Sequence, residues 1–183
     1  MSSPIPITKA LSIRNPWASL IAIGVKSIEN RSWTTNYRGR IAIHVGSRPA
    51  DLDAYRNFLA APALMADPQE IRAFAAWLDA EFDPRDPENQ LTSCVIGTVE
   101  ILDVIDFANT TVEQLAAIET PDGMDGAPWP WADDVSRYKW LLGDSVPFDT
   151  PVRCDGRLNL WEMPPAIAKA VNAEHERCAP QYV

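Results

Sequence analysis

Strand-forming segments lie at both ends of this chain and helical ones fill its middle, an order that limits the folds open to it. Residues 38–45, RGRIAIHV, alternate cleanly, with Ile41, Ile43 and Val45 on one face and Arg40, Ala42 and His44 on the other. That period of two marks a strand. Residues 9–13 (KALSI) and the VKSIENRSW stretch have β character too, and TTNYRG before the alternating run reads as a turn. Residues 93–107, SCVIGTVEILDVIDF, are the strongest strand candidate, with Gly97 as the expected bulge. RYKWLLGD, TPVRCDG and RLNLWEM add separate late strands. Such an order is not the strict alternation of a doubly wound α/β protein. A small mixed β-barrel of the α+β class, built from early and late strands with flanking helices, accounts for it.

The helices have local signals. In NPWASLIAIG, Asn15 suits the cap, Pro16 the first helical position and Gly24 the left-handed position after the end, while Trp17, Leu20 and Ile21 share a face. TTVEQLAAIE is a short capped helix, and residues 164–178 form a closing helix that begins with proline. Within residues 50–90, ADLDAYRNFLAAPAL and DPQEIRAFAAWLDAEF are helical, so this stretch is expected as an insertion in one domain spanning 1–183. Residues 120–134, with two tryptophans and three prolines between acids, form a long irregular loop of the kind that carries function.

Charge narrows the function. The formal net charge is −9, which argues against nonspecific coating of nucleic acid. Residues 1–50, however, carry seven Lys or Arg against Glu29 alone. A basic segment on an acidic body points to a focused anion-facing site. Cys94, Cys154 and Cys178 are odd in number and widely spaced, so neither a disulfide framework nor a zinc site is expected, and a reducing cytoplasm fits. No apolar run approaches the roughly 20 residues of a membrane helix, and no secretory signal pattern is present. No motif calls for a metal or cofactor. His175, between Glu174 and Glu176, reads as a solvated surface residue.

The residues of KSIENR (26–31) bear the chemistry. A nucleobase needs an apolar face to stack on and polar groups to read its edge. Trp17, Trp33, Tyr37 or Trp140 supply a face. Glu29 is an acceptor for an exocyclic amine, and Lys26 and Arg31 donate to carbonyls or phosphate. Arg14, Arg38 and Arg40 are placed to hold a phosphate backbone.

ALSIRNPWASLIAIGVKSIENRSW followed by YRGRIAIHVGS resembles the opening of the ASCH family within the PUA-like barrels, including its G-x-K-x-x-E-x-R element. The resemblance covers about residues 9–48 and 92–163. It implies a PUA-like barrel with a cleft beside the first helix, and RNA, nucleotide or modified-nucleoside recognition there. Some members hydrolyse N4-acetylcytidine with a lysine, a threonine three positions later and a glutamate on a later strand. Here Lys26 is retained, Glu29 occupies the threonine position, and Glu100 stands near the later carboxylate. Ser27 or Ser32 would then have to supply the hydroxyl, although alternation along a straight strand points Ser27 away from Lys26. Ribonuclease chemistry, also implied for a relative, would draw on Lys26, Glu29 and His44, with Tyr37 as donor. The expected partner is therefore RNA or a nucleoside or nucleotide, with hydrolysis as the alternative to binding.

Overall fold

The structure is a computed structural model and describes residues 5–48, 91–118, 131–133 and 135–180. The expected helical insertion and most of the 120–134 loop lie outside them. The elements in chain order are β1 (Lys9–Ile13), α1 (Trp17–Ala22), β2 (Ile28–Arg31), β3 (Gly39–Val45) and β4 (Cys94–Asp106). A 3₁₀ turn at Phe107–Asn109 follows, then α2 (Val112–Ala116), β5 (Tyr138–Arg153), β6 (Leu160–Glu162) and α3 (Pro165–Cys178). The strands form one mixed sheet in the order β2-β5-β4-β3-β1-β6. β1 and β3 are parallel and the remaining pairings antiparallel. The sheet curls into a half-barrel of the α+β class. Arg31 on β2 donates from Nη2 to the Ser12 carbonyl of β1 at 3.1 Å, linking two strands that are not neighbours in the sheet.

Helix α1 is six residues long, and Ala18 to Ala22 are all buried. So short a helix is marginal alone; its burial against the sheet holds it. Ala18, Ile21 and Ala22 join Leu11, Ile13, Ile41, Ile43, Val99, Ile101, Trp140 and Leu142 in the main core. Asn15 accepts at Oδ1 from the Ser19 amide (3.1 Å) and the Ser19 hydroxyl (2.9 Å). Pro16, expected as the first helical residue, is instead the N-cap, and the helix begins one residue later at Trp17, so Asn15 lies before the cap. Gly24 has φ +81°, the left-handed conformation expected after the helix. On α2, Thr111 and Gln114 form a reciprocal capping box.

The alternation of β3 holds, yet its second face is buried as well. Ala42 packs with Ala10, Val95, Trp161, Met163 and Val171 because α3 covers that side, so the strand lies between two apolar layers. The late strands differ from expectation. RYKWLLGD and TPVRC belong to one strand, β5, that runs through Pro147 and Pro151. β2 pairs with β5 only as far as Leu141. Beyond that point β5 has β4 as its sheet neighbour on one side only, and an edge strand tolerates proline.

The bulge falls where Gly97 was expected to mark it. Val95 pairs with His44 and Gly97 with Ile43, leaving Ile96 as the extra residue. A Cβ on Gly97 would lie 2.8 Å from the Val146 carbonyl oxygen and 3.2 Å from Ala22 Cβ. Gly97→Ala is expected to cost about 1–3 kcal/mol by overpacking. Urea unfolding checks this, and an unchanged midpoint would mean that β5 and α1 sit farther from β4 than the structure has them.

Candidate nucleotide-recognition site

Lys26 and Ser27 precede β2, in the short irregular stretch after the Ile23–Gly24 turn. The local chain is fixed by Lys26 N–H donating to the Leu20 carbonyl (3.0 Å) and Leu142 N–H to the Ser27 carbonyl (2.7 Å). Both residues line a cavity of about 230 Å³ with Gly24, Leu142, Gly143 and Ser145. Strand alternation does not govern Ser27, because the strand starts one residue later, at Ile28.

Lys26 is 4% exposed and Glu29 7%. The Lys26 ammonium donates to the Ile28 carbonyl and to Glu29 Oε2, the latter at 3.2 Å. Glu29 Oε1 lies 3.0 Å from Arg31 Nη2. One acid therefore joins two cations, which answers why a single carboxylate sits in the basic N-terminal segment. Burial lowers the Lys26 pKa, and Glu29 opposes that shift. Arg31 lies over the Trp33 ring, 5.9 Å from its centroid. Its Nε–H is the one buried side-chain polar atom without a partner among the described residues.

Asn30, between these charges, had no assigned role in the sequence. Its amide donates to the Trp131 carbonyl (2.8 Å) and accepts from the Asp133 amide (3.2 Å). Lys139, wholly buried, donates to Asp133 Oδ1 at 2.9 Å. Trp131 packs with Leu20, Ile28, Ile105 and Leu141. Residues 131–133, the end of the Trp/Pro loop, are thus fastened beside KSIENR. No local pattern could have revealed that, since the partners are about one hundred positions apart.

The other sequence candidates do not converge on one place. Trp140 is fully buried, edge-on to Trp33 with ring centroids 4.7 Å apart, so it builds the core and offers no free face to a base. Trp17 packs at the boundary between two core clusters. Tyr37 donates its hydroxyl to the Arg40 carbonyl (3.0 Å), and burial raises its pKa. Arg38 pairs with Asp103 at 2.7 Å. Arg40 donates to the Asp144 carbonyl (2.6 Å), bracing a wall of the Lys26 cavity, and lies 3.8 Å from Glu100. Glu100 is not part of that cavity's lining. Arg14 and His44 border a different cavity. His175 is partly buried, with Nδ1 2.9 Å from Thr98 Oγ1; packing of α3 on β4 and β5 withdraws it from solvent.

Burial lowers the pKa of His44 and of His175 below the ordinary 6.5. As pH falls through about 6.5 the unfolded chain takes up protons first. This contribution to stability is therefore complete above that pH and declines below it. The melting temperature is expected to fall between about pH 7 and about pH 5, and His44→Gln to flatten the fall. Equal slopes for the two proteins would contradict the buried neutral imidazole.

Among the described residues no helix is long and apolar enough to cross a membrane, and no three His, Cys, Asp or Glu side chains are grouped to hold a metal. The ASCH domain model matches residues 11–141. Activating signal cointegrator 1 from Homo sapiens is 32% identical over 101 residues, which are 52% of this chain and 14% of that protein. The Mus musculus protein is 32% identical over 96 residues, with the same shares. This chain thus matches only a small part of the length of these relatives. An ASCH crystal structure from Zymomonas mobilis aligns with a TM-score of 0.47 at 12% identity, over 90% of this chain and 93% of that one. A variant of that protein aligns at 0.47 and 13%, over 92% and 98%. The family match spans most of the chain and includes the whole KSIENR element, so the protein belongs to the ASCH family, a PUA-like fold associated with RNA binding.

Proposed function

We propose that this chain binds RNA or a modified nucleobase or nucleoside in the cleft around Lys26 and Glu29. The observation that carries the reading is the incomplete hydrogen bonding of a buried charged group. An ammonium has three protons, and two of those on Lys26 are placed. A carboxylate accepts about four hydrogen bonds, and one cation meets each Glu29 oxygen. The Arg31 Nε–H has no partner. Native proteins rarely leave such groups unsatisfied. A base edge, with a carbonyl for the cations and an exocyclic amine for Glu29, supplies the complementary set. The adjoining cavity, lined by Lys26 and Ser27 but not by Glu29 or Arg31, is below the ~300–1,000 Å³ of drug-sized ligand sites, a size that suits one base better than a large ligand.

Hydrolysis of an N4-acylated cytidine or of RNA is the second reading, supported by the placement of Ser27 on the same cavity as Lys26. The lowered Lys26 pKa is in the direction a base requires. Against it, the partners of the Lys26 amine are a carbonyl and a carboxylate rather than a hydroxyl. Titration with short single-stranded RNAs, cytidine and N4-acetylcytidine at two salt concentrations, with product analysis of each mixture, separates the readings. Saturable binding weakened by Arg31→Lys, without turnover, supports recognition. Turnover lost in Ser27→Ala supports hydrolysis. Neither binding nor products would sink both.

A further inference from the structure

Arginines in the described part of this acidic chain are mostly committed. Arg31 pairs with Glu29, Arg38 with Asp103, Arg137 with Asp106, and Arg177 with Asp149 and Glu174. Arg153 donates to the Thr92 carbonyl. Arg48 and Arg157 stand apart. Among the described residues neither has an ion pair or hydrogen bond, and both line one cavity of about 610 Å³ together with Arg14. Asp155 is the carboxylate on that lining and pairs with neither of the two. Among the described residues these two exposed guanidiniums on one cavity have no carboxylate paired to them, whereas the other described arginines named above do or are held by a carbonyl.

The floor of the cavity is a neutral, ordered network. His44 Nε2 lies 3.0 Å from the Cys154 carbonyl, which can only accept, so that nitrogen carries the proton. Nδ1 then accepts from the Ser12 hydroxyl at 3.1 Å, and Trp161 Nε1 donates to the same hydroxyl oxygen at 3.2 Å. Gly156 brings its backbone down onto this floor. A Cβ there would lie 2.3 Å from His44 Cε1 and 2.7 Å from Ser12 Oγ. That close approach anchors the chain beside Arg157, opposite the end of β3 that leads to Arg48. The floor thus sets the place of the cations without offsetting their charge.

We propose that this cavity, at the C-terminal ends of β1 and β3, is a phosphate-binding site separate from the Lys26 cavity. The phosphate is that of an RNA strand or of a free nucleotide or inorganic phosphate. A guanidinium presents a planar fork that matches phosphate oxygens in pairs, so two uncommitted arginines with Arg14 favour this anion. The volume lies within the range of small-ligand sites. The two cavities share no lining residue, so the proposal stands independently of base recognition. Arg31, which lines neither cavity, ties Glu29, the partner of Lys26, to the carbonyl of Ser12 on the second.

The test uses the full chain and an Arg48→Ala/Arg157→Ala double variant, followed by ¹H–¹⁵N spectra of the Gly156 amide and the arginine Nε groups. Inorganic phosphate is titrated against acetate at constant ionic strength. Saturable shifts with phosphate but not acetate, lost in the double variant, are expected. In a second arm a short oligoribonucleotide is titrated at several salt concentrations. If RNA supplies the phosphate, the slope of log K against log salt falls by about 1.4 in the double variant, at about 0.7 per single-strand contact. An unchanged slope with phosphate shifts present assigns the site to free phosphate or nucleotide and supports the proposal. Absence of RNA binding with phosphate shifts retained rejects the RNA reading and keeps this one. No phosphate shifts together with an unchanged RNA slope overturns the proposal.

Discussion

Glu29→Ala is expected to destabilise the fold by about 3–5 kcal/mol, because it leaves buried positive charge uncompensated. Lys26 and Arg31 both face this carboxylate, at 3.2 Å and 3.0 Å, and the Lys26 side chain is 4% exposed. The loss measures the penalty for stranding a charge and not the net worth of the pair, since desolvation offsets much of the attraction. A double variant, Lys26→Met/Glu29→Leu, removes the carboxylate and its buried amine together and is expected to recover a large share of the loss. Urea unfolding of the three proteins decides the point. A cost below about 1 kcal/mol for Glu29→Ala, typical of exposed pairs, would show that the pair is solvated and the base-reading proposal misplaced. If the double variant folds well but binds no RNA, the charges are retained for recognition.

Trp140→Ala is the second large effect, expected at about 3–5 kcal/mol from lost burial and the cavity left behind. Trp140 is fully buried, meets Trp33 at an interplanar angle of 84°, and donates from Nε1 to the Trp33 carbonyl at 3.4 Å. Trp140→Phe keeps an aromatic edge and loses the long hydrogen bond, so its cost is smaller. Trp33 is only partly buried, and Trp33→Ala is expected to cost less than Trp140→Ala. If nucleobases stack at this end of the half-barrel, Trp33 is the aromatic with surface to offer, and its removal weakens binding more than it weakens the fold. Thermal unfolding and RNA titration of the same variants separate those contributions. A stable Trp140→Ala protein with impaired binding would reverse the assignment and return Trp140 to the ligand.

Glu29 thus has a double meaning. It occupies the position where hydrolytic members of the family, as the resemblance implies, keep a nucleophile. Here it also pairs with two cations, the buried Lys26 and the partly buried Arg31. Under the proposed reading it recognises rather than reacts, and the hydrolytic alternative would draw its hydroxyl from Ser27 or Ser32.

Features set by neighbouring residues could be read from the sequence alone. Gly24 lies in the left-handed region because a helix ends there, Thr111 and Gln114 cap α2, β3 alternates, and Gly97 marks the bulge. The G-x-K-x-x-E-x-R element pointed to the family and to a site around Lys26. Tertiary structure decided the rest, because those outcomes depend on partners distant in sequence. β5 is one strand through two prolines because β2 stops short of them. Trp140 is core because the sheet curls around it. Both faces of β3 are buried because α3, more than one hundred residues later, lies on the second. Candidates that looked like one basic site do not share one: Lys26 lines one cavity, Arg14 and His44 another, and Arg31, Arg38 and Arg40 line neither, since pairing order and not chain order fixes which strand ends meet. Local propensity determined the elements; long-range register determined which charges share a pocket.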